Sequence, residues 1–247
     1  MVRATLFRAV DALRVLLEPG GTLALLTWPH FSLTSFKMTL DLRRQGITPK
    51  TVIDVGANAG QFAVAAANIF TGVAIHSFEP DPATAKRLRD SVDGLPNVTV
   101  YPIGLDAAEG TAELHVNAHS HSSSMLTLGP VHMTAFPAAR EIGTVEVTVS
   151  TLDAVFRSQP LEPPVLLKLD VQGYESRVLE GGRETLKRID YVIAEASFKP
   201  MYEGEVLFLD MVALMKDRGF DFLRPVGWLS DPKTGEILQV DMLFARR

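Results

Sequence analysis

Residues 51–62 read TVIDVGANAGQF, and residues 76–81, following at the spacing of one strand–helix–strand unit, read HSFEPD. Val52, Ile53 and Val55 suit a buried strand. Gly56 and Gly60 let the backbone turn sharply and approach a ligand with no Cβ in the way. The helix expected from about residue 60 offers free N–H groups to a ligand carboxylate or phosphate. The next strand, over 73–78, ends at Glu79. An acid at the tip of the second strand of a βαβ unit can take both ribose hydroxyls of a nucleoside. These two segments therefore predict a nucleoside-binding half-sheet.

Beyond them the pattern keeps alternating. Strands are expected over 51–55, 73–78, 98–103, 165–170, 190–195, 220–224 and 238–245, with helices near 60–69, 81–92, 151–157, 174–187 and 204–218. Such alternation predicts an α/β fold, a parallel sheet covered on both faces. The last two strands are joined by hairpin chemistry, Ser230-Asp231-Pro232 and Thr234-Gly235. An insertion over about 107–150 breaks the regular crossover. It carries strand-like runs at 111–116 and 144–149 and, between them, a polar, flexible run, His119-Ser120-His121-Ser122-Ser123-Ser124, followed by 125–137. A long polar loop at the carboxyl edge of the sheet is a candidate lid or substrate wall. Residues 1–50 read as a helical extension and a second candidate lid, with a break at Pro19-Gly20-Gly21, another at Trp28-Pro29, and a helix over 31–46.

A second constellation lies at 166–175, LLKLDVQGYE. Lys168 and Asp170 share parity and project to one face of a strand that otherwise looks buried. A buried lysine needs a partner, and Asp170 or Glu195 can supply it. Asp170 falls at the strand tip, and Glu175 in the first turn of the next helix, where a carboxylate is favoured by the helix dipole. Lys168, Asp170, Glu175 and Glu195 are thus candidate catalytic residues. The alternative is a structural ion network.

At 247 residues the chain suits one α/β domain with additions. A net charge of −5 argues against a nucleic-acid partner. The absence of cysteine excludes disulfides and thiolate zinc sites. Charged residues interrupt the first twenty positions, so no secretion signal is expected, and the apolar run at 23–28 is too short to span a bilayer. A cytoplasmic location fits. Leu6, Val10, Leu13 and Leu17, flanked by Arg3, Arg8 and Arg14, recur at helical spacing and read as a packing helix or as a weak membrane-surface contact. A homo-oligomer is compatible with these features.

The loop Gly56-Ala57-Asn58-Ala59-Gly60 lacks the second close-approach glycine of a dinucleotide fingerprint, and Asp54 before it can face an ammonium group. D-V-G-A-N-x-G-x-F followed by F-E-P resembles the first motif and following acid of class I S-adenosylmethionine (SAM) methyltransferases, with wording similar to the FkbM family. L-K-x-D-V-x-G-x-E with V-L-x-G, through Gly181, resembles that family's second hallmark. Ile103-Gly104-Leu105-Asp106 with Gly110 resembles its adenine-holding stretch. Ser122–Ser124, Ser150-Thr151-Leu152-Asp153 and Ile193-Ala194-Glu195 are similar to it as well. The resemblance covers roughly residues 50–220. It implies a Rossmann-like class I methyltransferase fold, seven-stranded with an antiparallel last strand. It also implies transfer of the SAM methyl group to a hydroxyl of a sugar, glycolipid, lipid-linked glycan or other small natural product.

On that resemblance Asp54 and Gly56 hold the methionine end of SAM, Asn58 and Gly60 complete the loop with Ala57 and Phe62, Glu79 with Pro80 binds the ribose, and Gly104, Leu105 and Asp106 lie near the adenine. For the hydroxyl proton two routes stay open. One is a general base, Asp170 first, then His119 or His121. The other is a magnesium ion shared by Asp170 and Glu195. Trp28, Phe31, Phe36, Tyr202 and Trp228 are candidate acceptor-pocket aromatics. Two other classes compete: a SAM-fold module that binds without catalysing, and an NAD-dependent oxidoreductase, against which the incomplete glycine fingerprint counts.

Overall fold

The computed structural model describes residues 31–118 and 120–247, together with Val15, Leu17, Thr22, Leu26 and Trp28. In chain order the described elements are α1 (Leu33–Arg44), β1 (Thr51–Val55), α2 (Gln61–Ile69), β2 (Ala74–Phe78), α3 (Pro82–Val92), β3 (Val98–Tyr101), β4 (Gly104–Leu105) and β5 (Gly110–Asn117). Then come α4 (Pro130–Ala135), β6 (Glu141–Ser150), α5 (Leu152–Phe156), β7 (Val165–Leu169), α6 (Glu175–Glu180), α7 (Arg183–Leu186), β8 (Tyr191–Ser197), α8 (Phe208–Asp217), β9 (Phe220–Ser230) and β10 (Ile237–Arg246).

Seven strands form the main sheet in the order β3-β2-β1-β7-β8-β10-β9. β1 is buried at all five positions and runs parallel to β2 and β7, as β7 does to β8. β10 runs antiparallel between β8 and β9. The expected α/β sheet with an antiparallel last strand is therefore present. Its two faces bury separate apolar layers because strand residues alternate. Val52, Leu166, Ile193 and Leu243 meet α1 and α2 on one face. Ile53, Leu167, Val192 and Phe244 meet the α5, α6 and α8 side on the other. Asp54, Lys168, Glu195 and Asp241 have the parity of the first set, and the register pairs Asp54 with Lys168 and Asp241 with Glu195. Four ionisable residues are thereby brought to one face near the carboxyl end of the central strands.

Several boundaries depart from expectation. The strand expected over 98–103 ends at Tyr101, before Pro102, and Gly104–Leu105 joins β5 and β6 in a separate three-stranded sheet. The helix expected over 174–187 is two, broken at Gly181-Gly182. A Cβ at Gly181 would lie 2.0 Å from the Asp106 carbonyl oxygen, so the chain passes too close there for any other residue. β9 continues six residues beyond 224 through Pro225, which an edge strand tolerates. The stretch over 125–137, within the candidate lid, contains α4 and packs Leu128 and Ala135 against Met201, Tyr202 and Leu238. The amphipathic helix expected around Leu6, Val10 and Leu13 lies outside the described residues. Among the described residues no helix is long and apolar enough to cross a membrane.

Candidate active site

The β1–α2 loop is shaped by three left-handed residues, Gly56 (φ +78°), Asn58 (φ +48°) and Gly60 (φ +91°). Gly56 and Ala57 donate to the Phe78 carbonyl oxygen at 3.0 and 2.9 Å, and Asp170 N donates to the Val55 carbonyl at 3.0 Å. Gly56 is wedged so tightly that a Cβ would sit 1.9 Å from the Asp170 carbonyl oxygen. α2 then starts without a side-chain cap, which leaves its first N–H groups for a ligand. Glu79 accepts from Asn58 N and from Asp81 N, one bond per carboxylate oxygen and each 3.0 Å. A carboxylate has about four acceptor positions, so capacity remains for two ribose hydroxyls. Burial pushes the Glu79 carboxyl up to about 7, against the two backbone N–H bonds.

Below the loop, Lys168 Nζ lies 2.9 Å from Asp170 Oδ2, 3.8 Å from Asp54 Oδ1 and 5.3 Å from the centre of the Phe62 ring. Burial favours the neutral amine, but the Asp170 and Asp54 carboxylates outweigh it and hold Lys168 above its ordinary range. Burial pushes Asp54 up to about 6, with Lys168 opposing. Both Asp54 oxygens are buried with no hydrogen-bond partner among the described residues. Burial alone would also raise Asp170, yet the Lys168 charge and the Gln172 amide hold it below the usual carboxylate range.

Gln172, in a left-handed conformation (φ +58°), ties the cluster together. Its Nε2 donates to Asp170 Oδ1 and to Glu195 Oε2, both at 2.9 Å, while its Oε1 accepts from the Tyr202 hydroxyl at 2.5 Å. Gln239 Nε2 donates to the same Glu195 oxygen at 3.0 Å. Ser124 Oγ donates to the Gln172 carbonyl at 2.7 Å, which pins the insertion to this corner.

Two cavities open on the cluster. One, of about 310 Å³, is walled by Gly56, Ala57, Asn58, Phe62, Glu79, Pro80, Gly104 and Leu105, with Thr34, Ser35 and Met38 of α1. The other, of about 560 Å³, lies toward β10 and α4. Thr34, His121, Asp170, Gln172 and Asp241 line both. The first suits SAM on its own geometry: the glycine turn, the uncapped helix start and the spare Glu79 acceptors; Asp54, fully buried beneath the loop against Lys168, does not line it.

The expected site residues divide accordingly. Asp54 and Lys168 meet below the loop, Gly60 backs onto Leu88, and Glu195 lines the second cavity. Glu175 does not reach either cavity; it is 2% exposed and accepts from Val171 N and Gly173 N, so it shapes the loop after β7. Asp106 does not line the first cavity but accepts from Arg177 Nε at 3.0 Å. His119 lies outside the described residues. Of the aromatic candidates, Phe36 is buried core, Tyr202 is buried in the Gln172 network, and Trp228 lines the second cavity.

The magnesium ion shared by Asp170 and Glu195, one of the two open routes, gains no support. The Gln172 amide, a donor, bridges Asp170 to Glu195, and Lys168 takes the other Asp170 oxygen. No group of three or more metal-ligating side chains is placed for a cation among the described residues. This donor set does not fit a divalent ion. Sequence reasoning also missed Asp241, Gln239 and the α1 residues Thr34, Ser35 and Met38. Asp241 alone left a signal, an acid inside the apolar run Val240–Phe244.

Strand order, switch-point cavity and glycine loop define a class I methyltransferase fold, shared with solved methyltransferases at identities that carry the fold alone. Residues 54–222 match the FkbM methyltransferase domain, and the chain belongs to that family. It is 27% identical over 161 residues to the 2-O-methyltransferase NoeI of Sinorhizobium fredii, covering 63% of this chain and 66% of that protein. It is 28% identical over 142 residues to the hexuronic acid methyltransferase AglP of Haloferax volcanii, covering 58% of this chain and 54% of that one. Both matches span less than two thirds of the relative's length. It is 30% identical over 197 residues to the 31-O-demethyl-FK506 methyltransferase FkbM of Streptomyces tacrolimicus, covering 68% and 72%.

Proposed function

We propose that this chain is a SAM-dependent O-methyltransferase acting on a hydroxyl of a sugar, glycolipid or other hydroxyl-rich natural product. The observation that carries this reading is the shared wall of Thr34, His121, Asp170, Gln172 and Asp241 between the two cavities. A donor held in the first cavity and an acceptor held in the second meet across it, and relatives named for methylation at oxygen support the class of acceptor atom.

SAM supplies an electrophilic methyl group on a sulfonium. The chain supplies position. Asp54, buried behind the loop and outside the cavity lining, acts on the ammonium end through its charge, the Gly56–Asn58 backbone sets the depth of the loop, and Glu79 takes the ribose hydroxyls. In-line placement of the acceptor oxygen supplies much of the rate. An aliphatic hydroxyl, with a pKa roughly that of water at about 15, also needs its proton removed. Asp170, tied to Lys168 and Gln172 and held below the carboxylate range, is a weak base. His121, which lines both cavities and lies 3.4 Å from the Gln61 amide, is the base in this reading, with Asp170 stabilising the imidazolium that forms. Thr34, Ser35 and Met38 of α1 close the donor cavity from one side.

The test is methyl transfer from SAM to a panel of glycosides and hydroxylated natural products, read as S-adenosylhomocysteine (SAH) release and methylated product. His121→Ala is expected to lower kcat about 10²- to 10⁴-fold with SAM affinity unchanged. Full turnover by that variant would remove His121 as the base, and no product from any acceptor would sink the activity.

A further inference from the structure

We propose that the second cavity is an acceptor site for an uncharged, hydroxyl-rich ring and that Asp241, beside Glu195 and Asp170, selects against anionic acceptors. This rests on the methyl-transfer reading. The cavity, of about 560 Å³, is large enough for a sugar-sized ring. Its polar lining includes the carboxyl groups Asp170, Glu195 and Asp241, the amides Gln172 and Gln239, and the imidazoles His121 and His132. Trp228, 65% exposed, and Phe136 offer apolar faces to a ring. Among the described residues no lysine or arginine lines it; the one cation of the cluster, Lys168, sits behind Asp170 at 2.9 Å.

Carboxylates and amides accept and donate to neighbouring hydroxyls, and an aromatic face takes the apolar side of a pyranose. An anionic ring would instead bring its charge against the Asp170 and Asp241 carboxylates, and like charges so placed are repelled; burial and then its acidic neighbours raise Glu195 well above its ordinary value, so it serves chiefly as a hydrogen-bonding group. Glu195 and Asp241 face one another across β8 and β10. Gly227 makes the room: a Cβ there would lie 2.1 Å from Asp241 Oδ2. Burial, and then the Asp170 charge, pushes Asp241 up to about 6, as expected where negative charge is already crowded. An independent sign of a ligand comes from His132. It lines the cavity, is 3% exposed, and its Nδ1 is buried with no partner among the described residues. Burial lowers its pKa, so the ring stays neutral and suits a hydroxyl better than an anion.

The chain has two tryptophans, so a Trp28→Phe protein reports on Trp228 alone. It is titrated with a methyl hexopyranoside and with the matching methyl hexuronate, with and without SAH. The glycoside is expected to perturb Trp228 emission, and the uronate to bind at least about tenfold more weakly. Asp241→Asn should narrow that gap, and Glu195→Gln should narrow it less. Saturation-transfer NMR on the unmodified protein reads the same pair of rings should Trp28→Phe fail to fold. Equal or tighter uronate binding, no binding of either ring, or an unchanged ratio in both variants would overturn the assignment. Loss of SAH binding would instead strike the methyl-transfer reading, and the ring titrations remain readable without it.

Discussion

Replacing Gly56 by alanine tests the link between the donor loop and the strand that carries Asp170. Two penalties add. A non-glycine residue at φ +78° costs about 1–2 kcal/mol. The added Cβ would also lie 1.9 Å from the Asp170 carbonyl oxygen, a backbone atom that cannot swing aside. Overpacking of this kind costs about 1–3 kcal/mol. The total is about 2–5 kcal/mol, and at about 2–4 °C per kcal/mol for a chain of this size Tm should fall by roughly 4–20 °C. Gly72→Ala is the control: its φ is +71°, but nothing lies within 4 Å of the added Cβ. It carries the conformational penalty alone and should lose about 2–8 °C. Differential scanning calorimetry on the two variants, with SAH titrated into each, separates the effects. Gly56→Ala should be the less stable and should lose SAH binding, while Gly72→Ala keeps it. Equal melting temperatures with SAH affinity intact in both would refute the wedged loop.

Glu79→Ala leaves the Asn58 and Asp81 N–H groups without their acceptor and removes the ribose contact; calorimetry should show SAM affinity reduced about 10- to 100-fold. Burial raises Glu175 from 4.5 to about 8, so between those values the folded chain keeps a proton that the unfolded chain has released, and stability falls as pH rises through that window. Glu175→Gln should flatten this fall, by on the order of 1 kcal/mol per pH unit in denaturant titrations, and an unchanged slope would contradict it. Exhaustive treatment with a chelator should leave methyl transfer unaltered, because the Gln172 amide bridges Asp170 and Glu195; activity lost and then restored by magnesium would refute that.

The central half-sheet was legible because its signals are local. The strand over 51–55, the glycine turn and Glu79 each depend on a few consecutive residues, and Lys168 in an apolar strand announced a buried partner. What escaped depends on long-range pairing. Asp241 becomes a site residue only because β10 inserts between β8 and β9 and sets it opposite Glu195. Gln172 was given no role, and the one it has comes from a left-handed backbone that turns its amide toward two carboxylates. Gly181 read as part of one helix because the constraint on it, the Asp106 carbonyl, lies 75 positions earlier in the chain. Glu175 and Asp106 were recognised as unusual, but sequence does not distinguish a carboxylate that shapes a loop from one that faces a ligand.

Methyl transfer across the two cavities requires the donor's sulfur at the wall they share, and a crystal structure with SAH reads its position. The ribose hydroxyls should lie on Glu79, the amino-acid end over Gly56 with Asp54 behind it, and the sulfur should be directed at His121, Asp170 and Asp241 with open space beyond it toward Trp228. SAH bound with its sulfur turned away from that wall, or bound outside this cavity, would contradict it.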